Sequence, residues 1–179
     1  MSIWTRFCAE LQTSGRSGGR RHLVLEVLAY AQDEAAARGR RGAVTLAYSP
    51  DGTVSVDDDG RGTDTRVDER GGVIQKPVMA TADVRFVDPD TRPLLPDGLP
   101  RRGMSSVAAV SALLMHENHR AEGSWLQSYC YGIPEDELMP LPPRGHSGTV
   151  VRFRAVVDGP ERHTDADLAA FSALQINVT

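Results

Sequence analysis

A chain of 179 residues is long enough for one domain with a core of its own. With 40% hydrophobic residues and a formal net charge of −4, it is neither a disordered chain nor a polycation drawn to nucleic acid or anionic lipid, and direct DNA binding is expected to be negligible. Two widely separated cysteines, Cys8 and Cys130, suit a reducing compartment; there is no basic stretch followed by an apolar run at the N-terminus and no bilayer-length apolar segment, so the expectation is a cytoplasmic protein without a membrane partner.

In chain order, Ile3, Trp4, Phe7, Cys8 and Leu11 predict a short amphipathic piece over 2–12, and 13–21 reads as a flexible Gly/Ser/Arg linker. Residues 1–21 are then an arm and 22–179 the domain. Leu23, Val27, Ala31 and Ala35 recur at helical spacing and predict a helix over 22–38, closed by Gly39 with Arg38, Arg40 and Arg41 near its end. Residues 43–48 and 53–56 alternate around Ser49-Pro50-Asp51-Gly52, the pattern of a hairpin. After an acidic glycine run, residues 63–102 are loop-rich, with five prolines from Pro77 to Pro100; Val73, Val78, Met79, Val84 and Phe86 are expected to pin parts of this stretch to the core. Residues 103–114 predict a second helix, 124–131 and 147–157 strands, and 164–174 a terminal helix capped by Thr164, with Asp165 and Asp167 in its first turn. Strands beside segregated helices define the expected class: an α+β two-layer sandwich, a mixed β-sheet with helices on one face.

Three local patterns could carry chemistry. Glu26, Tyr30 and Asp33 share a side of the first helix, where a carboxylate could act as a general base or be merely solvated. Asp58-Asp59-Gly60-Arg61-Gly62 could offer an acceptor to an exocyclic amine, with glycines that admit a flat ring, or be an ordinary turn. Ser147-Gly148-Thr149 opens a strand with a hydroxyl that could meet a ring nitrogen. His116-Glu117-Asn118-His119 reads as a polar turn after a helix, without the ligand spacing of a metal site, and no metal is assigned. Met104-Ser105-Ser106 lacks the Gly-x-Ser-x-Gly pattern of a hydrolase nucleophile.

Taken together and in order, these patterns are specific. His22-Leu23-Val24-Leu25-Glu26-Val27 with Asp33-Glu34-Ala35, Val54-Ser55-Val56 with Asp58-Asp59-Gly60-Arg61-Gly62, Gln127-Ser128-Tyr129 with Gly132-Ile133-Pro134, and Ser147 to Phe153 resemble the ATP-binding domain of DNA gyrase B and topoisomerase IV over residues 22–160. The resemblance implies a Bergerat-type (GHKL) fold and an ATP or ADP ligand. By position, Glu26 matches the general base, Asp58 the aspartate that takes the adenine amine, and Thr149 the threonine that supports it. Gly62 lies beside the base, and Arg61 and Glu34 match a salt-bridged pair under the ring. Asp33 and Gly60 join the nucleotide-binding set from the same helix and loop.

The departures matter as much. Tyr30 stands where the family has the asparagine that holds magnesium, and Ala29 replaces the preceding aspartate. A phenol is a poor substitute, which leaves magnesium without its usual protein ligand. The glycine-rich phosphate turn is reduced to Pro100-Arg101-Arg102-Gly103, where backbone amides and the charges of Arg101 and Arg102 could still meet phosphate. Leu126 replaces an arginine before the strand glutamine. Because the sequence ends at Thr179, the family's lysine-bearing second domain is not expected in this chain. The expectation is therefore a nucleotide-binding domain with weak or absent hydrolysis. The alternatives are a slow ATPase completed by a protein partner and an interaction module that kept the fold and lost the ligand.

Overall fold

The computed structural model describes residues 18–63, 66–67, 73–74, 92–135, 138–155 and 157–179. The amphipathic piece expected over 2–12, and the apolar residues expected to pin the long loop, lie outside these residues except Val73. Helix α1 spans Gly19–Ala37, so it begins inside the segment read as linker. Strands β1 (Gly42–Tyr48) and β2 (Val54–Asp58) form the expected hairpin. A two-residue pair follows, β3 (Arg66–Val67) and β4 (Val73–Ile74). Next come α2 (Met104–Val110), β5 (Ser111–Arg120), β6 (Gly123–Cys130), β7 (Ile133–Pro134), β8 (Met139–Leu141) and β9 (Gly148–Ala155). Helix α3 (Asp165–Ala169) and β10 (Leu174–Val178) end the chain.

The main sheet has eight strands in the order β10-β1-β2-β9-β5-β6-β7, with β8 also paired to β6. The β1–β10 pair is parallel and the others are antiparallel, so the sheet is mixed, as expected. Period-2 burial places one face against the helices: Val44 and Leu46 of β1, Val54 and Val56 of β2, Val151 and Phe153 of β9. Phe153 and Leu114, partners across β9 and β5, are both fully buried at the centre of that face. Helix α1 lays Leu23, Val24, Leu25, Val27 and Leu28 into this core. It is buried nearly all round through Ala29, because the sheet covers one side while α2 and the preceding loop cover another. Among the described residues, no helix is long and apolar enough to cross a membrane.

Two elements differ from expectation. The second helix stops at Val110, and the chain continues as β5, a central strand between β9 and β6. His116-Glu117-Asn118-His119, read as a polar turn, is the middle of that strand. Its polarity masks the strand because both of its faces carry polar work: Asn118 bonds the Thr63 backbone on one side, and Glu117 meets His119 and Arg152 on the other. The terminal helix stops at Ala169, and Leu174-Gln175-Ile176-Asn177-Val178 adds β10 beside β1. The alternation of Leu174, Ile176 and Val178 was the available signal.

Thr164 caps α3 as expected, with a capping box that pairs it with Asp167. Asp167, 2% exposed, also receives Arg21 Nε at 2.8 Å and Nη2 at 2.7 Å, which ties α3 to the start of α1. These bonds, Arg21's first, hold the Asp167 carboxyl down to about 2. A depressed carboxylate stabilises the fold above the ordinary aspartate range and loses that contribution as pH falls towards its folded value. Urea unfolding at pH 7 and pH 2 should therefore show Asp167→Asn losing less stability on acidification than the native chain, by roughly 2 kcal/mol. Equal acid losses in the two proteins would dismiss the pair.

Candidate functional site

The site begins with one row of residues across the sheet. Val44 pairs with Asp58, Asp58 with Thr149, Thr149 with Asn118, and Asn118 with Trp125. Directly opposed residues share a face, so Asp58, Thr149 and Asn118 look out together on the helix side. The Thr149 hydroxyl donates to Asp58 Oδ2, and Gly60 N donates to Asp58 Oδ1 at 2.8 Å. Asp58 is 7% exposed; burial pushes its carboxyl up, and these two hydrogen bonds offset only part of the rise. A carboxylate offers about four acceptor directions, so with bonds from the Thr149 side chain and from the Gly60 and Thr149 backbones about one remains for an incoming donor.

Glycines set the close approaches. A Cβ on Gly148, which has φ 151°, would fall 1.9 Å from the Asp58 carbonyl oxygen, so only glycine lets β9 enter beside Asp58. Gly62 has φ 74°, and a Cβ there would lie 2.4 Å from Asn118 Oδ1. Asn118 grips the backbone of Thr63, accepting from its N–H at 2.7 Å and donating to its carbonyl at 2.8 Å. Asn118 was not among the sequence-derived site residues. Reading β5 as a strand and placing its polar residues by parity would have found it. Glu34 and Arg61 close this end: Arg61 Nε donates at 2.7 Å and Nη2 at 3.0 Å, a bidentate pair linking α1 to the acidic glycine loop.

At the other end stands Glu26, 1% exposed, which rules out the solvated polar face. One carboxylate oxygen accepts Arg102 N–H at 2.5 Å and the other Gly103 N–H at 2.9 Å. The amides expected to face phosphate are turned to Glu26. His22, one turn earlier, places Nε2 3.2 Å from Glu26 Oε1, while its Nδ1 lies 2.8 Å from Asp97 Oδ2. Neither His22 nor Asp97 was singled out from sequence; the i, i+4 spacing of His22 and Glu26 was the signal for one, and nothing local marks the other. Arg101 Nη1 pairs with Asp33 at 2.7 Å and so joins the loop to α1.

Tyr30 lies between the two ends. Its hydroxyl is 3.2 Å from Thr63 Oγ1, and the charges of Asp58, Glu34 and Arg61 reach it. Burial first, and those carboxylates next, push the phenol above the usual tyrosine range, so it stays protonated. A protonated phenol bonded to Thr63, with Asp33 and Glu34 both held by arginines, does not fit a hard divalent cation that needs well-placed oxygen ligands. His116 and His119 are three apart on a strand and face opposite sides of the sheet, so they cannot share a metal. His116 shares the face of Asn118 and Thr149, and burial holds its imidazole down at about 4; His119 meets Glu117 on the far face at 3.2 Å.

The comparisons with known proteins follow the same lines. No family model matches the chain. It is 31% identical to the DNA gyrase B protein of Staphylococcus aureus over 160 residues, 88% of this chain and 24% of the relative. It is 33% identical to the DNA gyrase B protein of Haloferax volcanii over 144 residues, 76% of this chain and 22% of that one. Its fold matches the topoisomerase IV ATP-binding domain of Francisella tularensis, solved with a small-molecule inhibitor, with a TM-score of 0.63 at 19% identity, covering 90% of this chain and 46% of that. A mixed sheet with helices on one face, over which α1 and the Asp58–Thr149 row face each other, is the GHKL (Bergerat) ATP-binding fold. Within that class the chain is a gyrase-B-like domain, homologous to gyrase B and spanning about a quarter of the length of those relatives.

Proposed function

We propose that this domain binds an adenine nucleotide, ATP or ADP, and hydrolyses it weakly or not at all. The base is received at the Asp58–Thr149 end, with Gly60 and Gly62 allowing close approach and the Glu34–Arg61 pair beside it. The observation that carries the second half is the engagement of Glu26. Both of its oxygens hold backbone amides of the loop entering α2, and a carboxylate so occupied is a poor base towards water. Tyr30, in place of an oxygen ligand for magnesium, supports the same reading, because charge neutralisation on the phosphoryl group is a main source of catalysis in such reactions. Contact with DNA is no part of the proposal, the net charge being −4.

Calorimetric titration of ATP and ADP, with and without magnesium, tests this. The ATP dissociation constant is expected to change by less than about threefold on adding magnesium, and Tyr30→Asn should enlarge that dependence. Turnover should stay at background in both. A magnesium-dependent ATPase rate in the native chain, abolished by Glu26→Ala, would replace this reading with that of a competent enzyme. No measurable nucleotide affinity would leave an interaction module built on the fold.

A further inference from the structure

The loop of residues 92–103 is an ordered piece of chain: Leu95 N–H donates to Leu99 O at 2.9 Å, Arg101 N–H to Pro93 O at 2.9 Å, and Leu95 is buried in the core. A buried chain of side chains fastens it to α1. The Asp97 side chain is 3% exposed and its Oδ1 accepts Leu99 N–H at 3.1 Å, so the carboxylate is fixed relative to the loop. Its Oδ2 meets His22 Nδ1 at 2.8 Å; His22 Nε2 lies 3.2 Å from Glu26 Oε1; and Glu26 returns to the same loop at Arg102 and Gly103.

Imidazole chemistry constrains this arrangement. A neutral ring has one N–H and one lone pair, so it serves one carboxylate and turns a lone pair on the other. The imidazolium keeps its Nδ1–H on Asp97 and sets its positive charge, through Nε2, against Glu26 at 3.2 Å, a charge contact in which the buried Nε2 makes no aligned hydrogen bond. Carboxylates at both ring nitrogens therefore select the charged form. We propose that Asp97 is a positioning residue that keeps His22 doubly protonated, and that this imidazolium holds Glu26 on the amides of Arg102 and Gly103, so that loss of the His22 proton loosens those two amides from Glu26 while buried Leu95 and the Arg101–Asp33 pair still hold the rest of the 92–103 loop. With Nδ1–H retained by Asp97, the bare Nε2 would face a Glu26 oxygen, two lone pairs at van der Waals distance in a buried site.

The charges acting on His22 come from two sides: Glu26 on its own helix and Asp97 on the loop. Arg21 also faces Asp97, but its guanidinium is bound to Asp167 of α3. Helix α2, Met104–Val110, carries no charge. Burial works against the charged imidazole, yet the bonds and charges of Glu26 and Asp97 outweigh it and raise His22 above the ordinary histidine range. A raised folded value means that the fastening is intact at and below the ordinary range and is lost as pH rises through the folded value.

The test needs no nucleotide, so its outcome is separate from that of the binding proposal. The ligand-free protein is titrated by NMR, following the His22 ring and the exchange of the Arg102 and Gly103 amides, each corrected for its intrinsic pH dependence. His22 should titrate above about 6.5, and the protection of both amides should fall about tenfold or more across that titration while Val151 in β9 stays protected. In Asp97→Asn the histidine should titrate lower, and the fall in protection should move with it. A native His22 that titrates at or below the ordinary value, or amide protection that ignores its charge, would overturn the proposal. If Asp97→Asn does not fold, the native titration alone decides.

Discussion

Glu26→Ala is expected to lower the stability of the domain by about 3–5 kcal/mol, the magnitude seen when one member of a buried charged network is removed. Glu26 is 1% exposed, and its two oxygens are the acceptors for Arg102 and Gly103. Each amide left without an acceptor costs about 1–3 kcal/mol. His22 would keep Asp97 but lose its second anionic partner. Glu26→Gln separates charge from shape. Its carboxamide oxygen can accept one amide while its NH2 opposes the other, so the loss should be real but smaller. Urea unfolding at pH 7 measures both. An alanine variant within about 1 kcal/mol of the native chain would mean that the amides do not depend on this carboxylate, and Glu26 would then be free to act on water. The consequence for interpretation is practical: activity lost in Glu26→Ala is informative only beside a melting curve, because the residue is part of the loop's anchorage.

Legibility in the sequence followed the range of the interactions. Helix α1, the β1–β2 hairpin and β9 announce themselves through periodicity, and the Thr164 cap through its side chain, since these are settled within a few residues. Strand β5 did not. Its middle is His116-Glu117-Asn118-His119, and the reason for that composition lies in strands that pair with it from elsewhere in the chain: Thr149 beside Asn118, and Arg152 on Glu117. Strand β10 depends on its parallel pairing with β1, more than a hundred residues earlier, which no window of sequence contains. The same division runs through the site. Asp58, Thr149, Glu34 and Arg61 come together where the motif places them. The engagement of Glu26 was invisible, because its partners are backbone amides brought by a loop with no pattern of its own. Asp97 was invisible for the same reason: a lone aspartate before a glycine reads as a turn residue until the fold sets it against His22.

Asp58 carries the second large expectation. Asp58→Ala should weaken ATP and ADP binding by about 1–3 kcal/mol, or 5- to 150-fold, through loss of the acceptor for the adenine amine. Alanine also strands the Thr149 hydroxyl and the Gly60 amide, both of which donate to this carboxylate, so part of any loss could come from a disturbed loop. Asp58→Asn is the sharper probe. Its carboxamide oxygen can still accept from Gly60, and its NH2 can donate to the Thr149 hydroxyl, so the β2–β9 junction keeps its shape. What changes is the group offered to the base: an amine that needed an acceptor now meets a donor. Affinity for ATP and ADP should fall to a similar extent in both variants, while thermal melting separates them, with Asn close to native and Ala lower. Inosine triphosphate, which carries a carbonyl where adenine has its amine, extends the test: native protein should prefer ATP, and Asp58→Asn should narrow or reverse that preference. An affinity for ATP unchanged in both variants would place the nucleotide, if bound at all, away from the Asp58–Thr149 row.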